Sequence, residues 1–388
     1  MFRRSSLLLA LGGLSASALS QVNLYMVGQV DLSSTAVGAN AQFIGSNPSA
    51  VAWNGSTAYV GGYNAAGGTA NTAIAPVTVS LSLNGLNQAT DFTSAGAFGT
   101  SFGVFSTANT RGFTQLAVKG NTLAASLDNG AGSVNSVRAF NATTGALNWA
   151  TGGGTPDATR RGNGVGFDPG FLGGGSNVGV AYLGIGGGRR HLMDETTGGY
   201  INGQNAGAII NATAAPVTGG TTWRGMAFSS NGDLYARNGN AVTKAVRSAD
   251  NNFGGSSSII YTPGTYTTGV DNNSLAYVEA GVNSFLIFND RTSGSSGQAA
   301  SSILKAISNT GSSLALNLFD MNSSALSLAN GNGAYGFSYA ASNQTLAVTD
   351  FANRQLYVFS LNQPVPEPAS MAALGLGVLG LLKRRKKA

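Results

Sequence analysis

A chain of 388 residues with 57 glycines, 9% charged residues and no cysteine excludes a helix-rich fold, because the residues that favour surface helices are scarce, and excludes disulfide stapling. Its formal net charge of +6 is terminal: Arg3, Arg4 and the run Lys383, Arg384, Arg385, Lys386, Lys387 supply seven of the 21 cations, and the other 14 face 15 acidic residues. The body is near neutral, with paired cations only at Arg160-Arg161 and Arg189-Arg190, which excludes a nucleic-acid partner.

Residues 1–20 read as a secretory signal peptide. Arg3-Arg4 form a charged n-region, Leu7 to Leu14 an apolar core too short to span a membrane, and Ala16-Ser17-Ala18 or Ala18-Leu19-Ser20 supply small residues for cleavage after Ala18 or Ser20. The context after Arg3-Arg4 is incomplete for a twin-arginine signal, so ordinary secretion is expected.

Residues 21–362 form the body, and a strand–turn–strand–turn–strand phrase recurs along it. A fourth-best copy comes first, Val51-Ala52-Trp53-Asn54-Gly55 followed by Thr57 to Val60. Leu116 to Val118, Lys119-Gly120-Asn121, Thr122 to Leu127, Val137 to Phe140 and Thr144 to Trp149 make another. Weaker copies open at Val165-Gly166-Phe167-Asp168 and at Leu275 to Val278. The clearest is Gly225 to Phe228, Ser229-Ser230-Asn231-Gly232, Asp233 to Arg237, Asn238-Gly239-Asn240 and Ala241 to Val246, with Asn-Gly at both corners, the strongest short hairpin signal. The last runs Ala334 to Tyr339, Thr345 to Asp350 and Gln355 to Phe359.

First turns near Asn54, Gly120, Asp168, Asn231 and Asn343 are 66, 48, 63 and 112 residues apart, the last about twice 56 with one copy between, and a recurrence of roughly 50–65 residues is the spacing of β-propeller blades with long loops. The expected fold is all-β: a single propeller of six blades, or seven if Thr100 to Ser106 belongs to another, flanked by an N-terminal signal helix and a C-terminal transmembrane helix. The strand Val22 to Val27 is expected to complete the last blade and close the ring, which leaves few unpaired edges. The phrase Thr345 to Phe359 loosely resembles blades of YVTN, NHL or quinoprotein-like propellers. A pair of β-sandwiches is the competing architecture.

Candidate chemistry in the body is sparse. His191, the one histidine, reads either as a general base beside Arg189-Arg190 or as part of a solvated connection; a histidine or cysteine zinc centre is excluded, and no G-x-S-x-G elbow is present. Gly184 to Gly188 lacks the following helix of a dinucleotide loop. Asp128-Asn129, Asp250 to Asn252 and Asp271 to Asn273 read as Asx turns rather than calcium ligands. Asp194-Glu195, adjacent on a strand, would point to opposite faces. Trp53, Trp149 and Trp223 sit at comparable blade positions and read as packing or as sugar-stacking residues. Neither cofactor nor metal is expected.

The end of the chain is the most specific segment. A linker, 363–368, carries Val365, Pro366, Glu367 and Pro368; residues 369–382 are uncharged; 383–388 carry the five cations, a membrane stop. Fourteen residues make roughly 21 Å of helix, short of a hydrocarbon core of about 30 Å, and Ser370, Gly375, Gly377 and Gly380 weaken it further. The basic run sets the remainder of the chain outside the cytoplasm. A marginal span preceded by a processing motif follows the logic of removable tails; a plain membrane anchor is the alternative.

This tail resembles the PEP-CTERM sorting signal of exported bacterial proteins, and the same region resembles the ice-binding protein C-terminal domain, although no Thr-x-Thr ladder is evident in the body. The PEP-CTERM resemblance implies a membrane protease of the exosortase type as partner, cleaving near Pro366, Glu367 and Pro368. It also implies transient anchoring in the inner membrane, then a place at the cell surface or in the extracellular matrix. The body is expected to be a non-catalytic binding platform, with exopolysaccharide as a candidate ligand; the alternative is a propeller-fold lyase or hydrolase acting on matrix polysaccharide.

Overall fold

Alternating apolar residues at Val22, Leu24 and Met26 turn one face of strand β1 (Gln21–Asp31) into the core. The computed structural model describes residues 21–33, 47–63, 72–83, 89–105, 112–128, 136–151, 164–170, 178–183, 190–199, 201, 223–238, 241–247, 257–262, 274–289, 304–328 and 335–363. Among these the only helical piece is a single 3-10 turn at Gly281–Asn283, and no helix is long and apolar enough to cross a membrane.

The remaining strands group into antiparallel meanders. The first holds β2 (Asn47–Trp53), β3 (Thr57–Tyr63) and β4 (Thr72–Leu83), with β5 (Ala89–Phe98) and β6 (Phe102–Phe105) both paired to β4. Thr100 to Ser106 therefore adds a short strand to this meander and opens no sheet of its own. The second is β7 (Gly112–Lys119), β8 (Thr122–Asp128), β9 (Ser136–Asn141) and β10 (Leu147–Ala150). The third has three described strands, β11 (Val165–Pro169), β12 (Val178–Leu183) and β13 (Arg190–Met193). The fourth is β14 (Trp223–Phe228), β15 (Leu234–Asn238), β16 (Ala241–Ala245) and β17 (Ser257–Tyr261). The fifth is β18 (Leu275–Val278), β19 (Phe285–Asn289), β20 (Leu304–Ser308) and β21 (Ser313–Phe319).

The sixth closes the chain on itself. β22 (Tyr335–Ala340), β23 (Thr345–Asp350) and β24 (Gln355–Ser360) run antiparallel, and β1 pairs antiparallel with β24 as the outer strand, Tyr25 opposite Ser360 and Asp31 opposite Gln355. On its other edge the first half of β1, Gln21 to Tyr25, pairs in parallel with β21, Gln21 opposite Ala315, so β1 spans the fifth and sixth meanders with one half on each and Tyr25 paired to both.

First strands neighbour one another in a cycle, β2 to β7, β11, β14, β18, β22 and back to β2. The core is divided accordingly, with one apolar cluster between each pair of neighbouring meanders. Leu116 and Leu123 pack with Ala50, Tyr59 and Ile74 between the first and second; Val358 and Leu356 pack with Val51 and Val60 across the closure; Leu24 and Phe359 pack with Phe285 and Ile287 between fifth and sixth. This cyclic order of meanders is the propeller architecture.

The tryptophans do not occupy comparable positions. Trp53 ends the first strand of its meander, Trp149 lies on the outer strand β10, and Trp223 opens β14. Trp53 and Trp149 are both buried, which is packing. The local sequences that suggested equivalence differ in which strand carries the ring.

Candidate functional site

Among the described residues, the turns that follow first strands lie at one end of the ring, and polar contacts join them to neighbouring meanders. In the β22–β23 turn, Asn343 Nδ2 donates to Gly55 O at 2.8 Å, while Thr345 Oγ1 donates to Asn343 Oδ1 at 2.6 Å and accepts the Trp53 indole N–H at 2.7 Å. Lys119 reaches Glu195 at 3.4 Å in an exposed pair, and the Trp149 indole donates to Glu195 O at 2.9 Å. Between the third and fourth meanders Asp168 and Arg247 form a charge pair whose side chains are both fully buried. Arg247 also donates through Nε to Gly232 O at 3.0 Å, and its backbone N–H donates to Asp233 Oδ1 at 3.1 Å.

Glu279, after β18, joins three meanders: Ser230 Oγ donates to its carboxylate and Tyr339 OH donates to its carbonyl at 2.8 Å. Beside it Tyr235 stacks on Tyr277 with ring centroids 5.3 Å apart, and Lys244 bridges to Asp233 at 3.0 Å with Nζ 5.5 Å from the Tyr235 ring centre. Burial, then the Glu279 charge, pushes the Tyr339 phenol up to about 12. Tyr277 is raised chiefly by burial, against a hydrogen bond with Ser284, and Tyr235 is raised by burial, by Tyr277 and by Asp233. The three phenols thereby keep their protons, and Tyr339 directs its own to Glu279 O.

Nearer the axis, Gln115 on β7 ties two further first strands together. Its Nε2 donates to Met226 O at 2.7 Å, and its Oε1 accepts from Met226 N at 3.1 Å and Val165 N at 3.0 Å. Ser49 Oγ donates to Phe113 O at 2.5 Å, joining β2 to β7, and Trp53 N donates to Ser338 Oγ at 2.9 Å, joining β2 to β22. The inner ring is thus held by neutral side chains that satisfy the backbone of their neighbours.

The structure relocates two residues that the sequence singled out. His191 lies within β13, opposite Tyr182 in register, and not on a connecting loop; an Arg-His-Leu-Met strand reads as a loop when the glycines before it dominate the local signal. Asp194 and Glu195 follow β13 in a turn instead of sharing a strand: Asp194 Oδ1 accepts from Thr196 N at 2.9 Å and Thr197 N at 2.8 Å, and those bonds hold its carboxyl below the usual carboxylate range. Asx turns of this kind also occur at Asp320 and Asp350. Among the described residues no group of three or more His, Asp or Glu side chains is placed to hold a metal.

The signal peptide, Gly184 to Gly188, Asn129, Asp250 to Asn252 and Asp271 to Asn273 lie outside the described residues, as do Val365, Pro366, Glu367, Pro368, the segment 369–382 and the basic run Lys383 to Lys387. Sequence reasoning missed the bridging role of Gln115 and the Asp168–Arg247 pair. A lone glutamine and two charges 79 positions apart carry no spacing signal.

The fold defines an all-β, propeller-type protein. Its C-terminal residues, 364–387, match the PEP-CTERM protein-sorting motif. No curated protein sequence matches the chain. Among solved structures, an auxiliary nutrient binding protein from Bacteroides thetaiotaomicron is similar at a TM-score of 0.49 and 11% identity, covering 81% of this chain and 69% of that one. A gluconolactonase from Xanthomonas campestris follows at 0.45 and 10%, covering 86% and 91%, and the Neurospora crassa Pan2 WD40 domain at 0.44 and 10%, covering 89% and 97%. The sorting motif implies export, processing by an exosortase, which is a membrane protease, and membrane-associated sorting to the cell surface.

Proposed function

We propose that the propeller is a non-catalytic binding platform, carried to the envelope by its tail, cleaved near Pro366-Glu367-Pro368 and retained at the surface or in the exopolysaccharide matrix. The observation that carries the reading is the match of residues 364–387 to a sorting motif, placed directly after a ring whose last strand ends at Ser360. The near-neutral body supports the ligand class. Asn, Ser and Thr dominate its polar positions, and such groups exchange hydrogen bonds with glycans without desolvating charge.

The test is co-sedimentation of the secreted, processed protein with purified exopolysaccharide from its host, alongside an assay for newly formed reducing or unsaturated chain ends. Saturable binding with no new ends is expected. New ends formed in proportion to protein would replace the platform by a lyase or hydrolase, and no binding to any fraction would remove the glycan ligand.

A further inference from the structure

The sorting motif leaves the propeller at a fixed place. Thr345 is opposite Ser360 and Asp350 is opposite Gln355, so the end of β24 lies at the same end of the ring as the Ala341–Gln344 turn, and the Phe351–Arg354 turn lies at the other. The chain is pinned to the first of these ends past its last strand. Leu361 N donates to Gln344 O at 3.3 Å, Asn362 N donates to Ser360 Oγ at 3.1 Å, and Asn362 Nδ2 donates to Gln344 Oε1 at 3.0 Å. Gly55 is at this end too, through Asn343. The first residue of β1, Gln21, lies there as well, since β1 runs antiparallel to β24 with Tyr25 opposite Ser360.

From Asn362 only Gln363, Pro364 and Val365 precede Pro366. Four steps of an extended chain reach roughly 14 Å, and the seven steps to Ala369, where the uncharged segment begins, reach roughly 25 Å. A six-residue strand such as β23 separates the two ends of the ring by about 20 Å.

We infer that, before cleavage, the propeller faces the bilayer with the end that carries Ser56, Ser342 and Asn362, and holds the Asp31 and Asn353 end away from it. The lipid surface is the partner of this end, and the sorting motif is presented in the narrow gap between them. The inference rests on the tail reading of the preceding section.

Because the chain has no cysteine, each substitution gives it a single thiol, which is labelled on the purified full-length protein before its return to membranes. Ser342→Cys and Ser56→Cys mark one end, Asn353→Cys and Asp31→Cys the other; all four positions are exposed. Full-length protein is made in a host lacking exosortase, purified, labelled and returned to membranes that carry acceptor-labelled lipids, and energy transfer from each label is read. Transfer about twofold stronger at Ser342 and Ser56 than at Asn353 and Asp31 is expected, from the face separation of about 20 Å. Ten Gly/Ser residues inserted after Gln363 should erase the difference. Membrane-bound protein with equal transfer at all four sites, or stronger transfer at Asn353 and Asp31, overturns the orientation. Protein that fails to sediment with membranes at all overturns the tail reading instead, and the orientation with it.

Discussion

Gln115 and Met226 exchange a reciprocal pair of hydrogen bonds, side-chain amide to backbone peptide, across two first strands that lie 111 positions apart. The same carbonyl oxygen also serves Val165 N, so one neutral side chain satisfies buried groups on β11 and β14. Gln115→Leu keeps the volume and removes all three bonds. Each orphaned buried group costs about 1–3 kcal/mol, so a loss of about 3 kcal/mol or more is expected in urea unfolding. A variant within about 0.5 kcal/mol of the parent, the ordinary range of neutral surface changes, would show that water replaces the amide.

The Asp168–Arg247 pair is a second cross-link, between the third and fourth meanders. Removing one partner strands a buried charge, a loss of about 3–5 kcal/mol, whereas replacing both with apolar residues is close to neutral in other proteins. Asp168→Asn is therefore expected to destabilise more than the combined Asp168→Leu and Arg247→Met change. Equal losses in single and double variants would contradict a charge pair as the source.

Gly112 begins β7 at φ +134°, a backbone region that side chains rarely adopt, and an added Cβ would sit 2.2 Å from Gly62 O. Both the conformation and the space forbid alanine. Gly112→Ala is expected to destabilise by at least about 1 kcal/mol and to weaken amide-exchange protection at Tyr63, its partner in β3. Unchanged protection at Tyr63 would contradict this.

Asp350 ends β23 fully buried. Burial raises its carboxyl above the ordinary 3.8, against opposing hydrogen bonds from Asn353 and Ala352. The folded chain then keeps this proton to a higher pH than the unfolded chain does, so it binds more protons across that window and stability falls as pH rises upward from 3.8. Asp194 has the opposite sign: its depressed carboxyl contributes above the unfolded value and loses its effect as pH falls through the folded one. Urea midpoints of parent and Asp350→Asn, taken across the acid range, should draw apart as pH rises from 3.8 and run parallel above the raised value. A constant gap would remove Asp350 as a titrating group.

Much of the ring was legible in the sequence because local physics writes it there. Asn231-Gly232 predicts a tight turn, and Gly232 takes φ +84° there. The alternation of Val22, Leu24 and Met26 marks β1 as half-buried, and its closure onto β24 follows from the need to pair a lone edge. The parallel pairing of β1 with β21 was not legible, since register between strands about 290 residues apart leaves no local trace. The polar contacts of the turn end were hidden for the same reason: Glu279 meets Ser230 and Tyr339 only after three meanders have assembled. His191 was misplaced because the glycines before it outweighed a strand of four residues.

The most direct test of the central claim is the mass of the mature chain's C-terminus in hosts with and without exosortase. With the protease present, intact-protein mass spectrometry should show a chain ending near Pro366-Glu367-Pro368 and lacking Lys383 to Lys387; without it, or with Glu367→Ala, the basic run should remain and the protein should stay in the membrane fraction. A full-length chain in both hosts, released or cytoplasmic regardless of the protease, would contradict sorting by this tail.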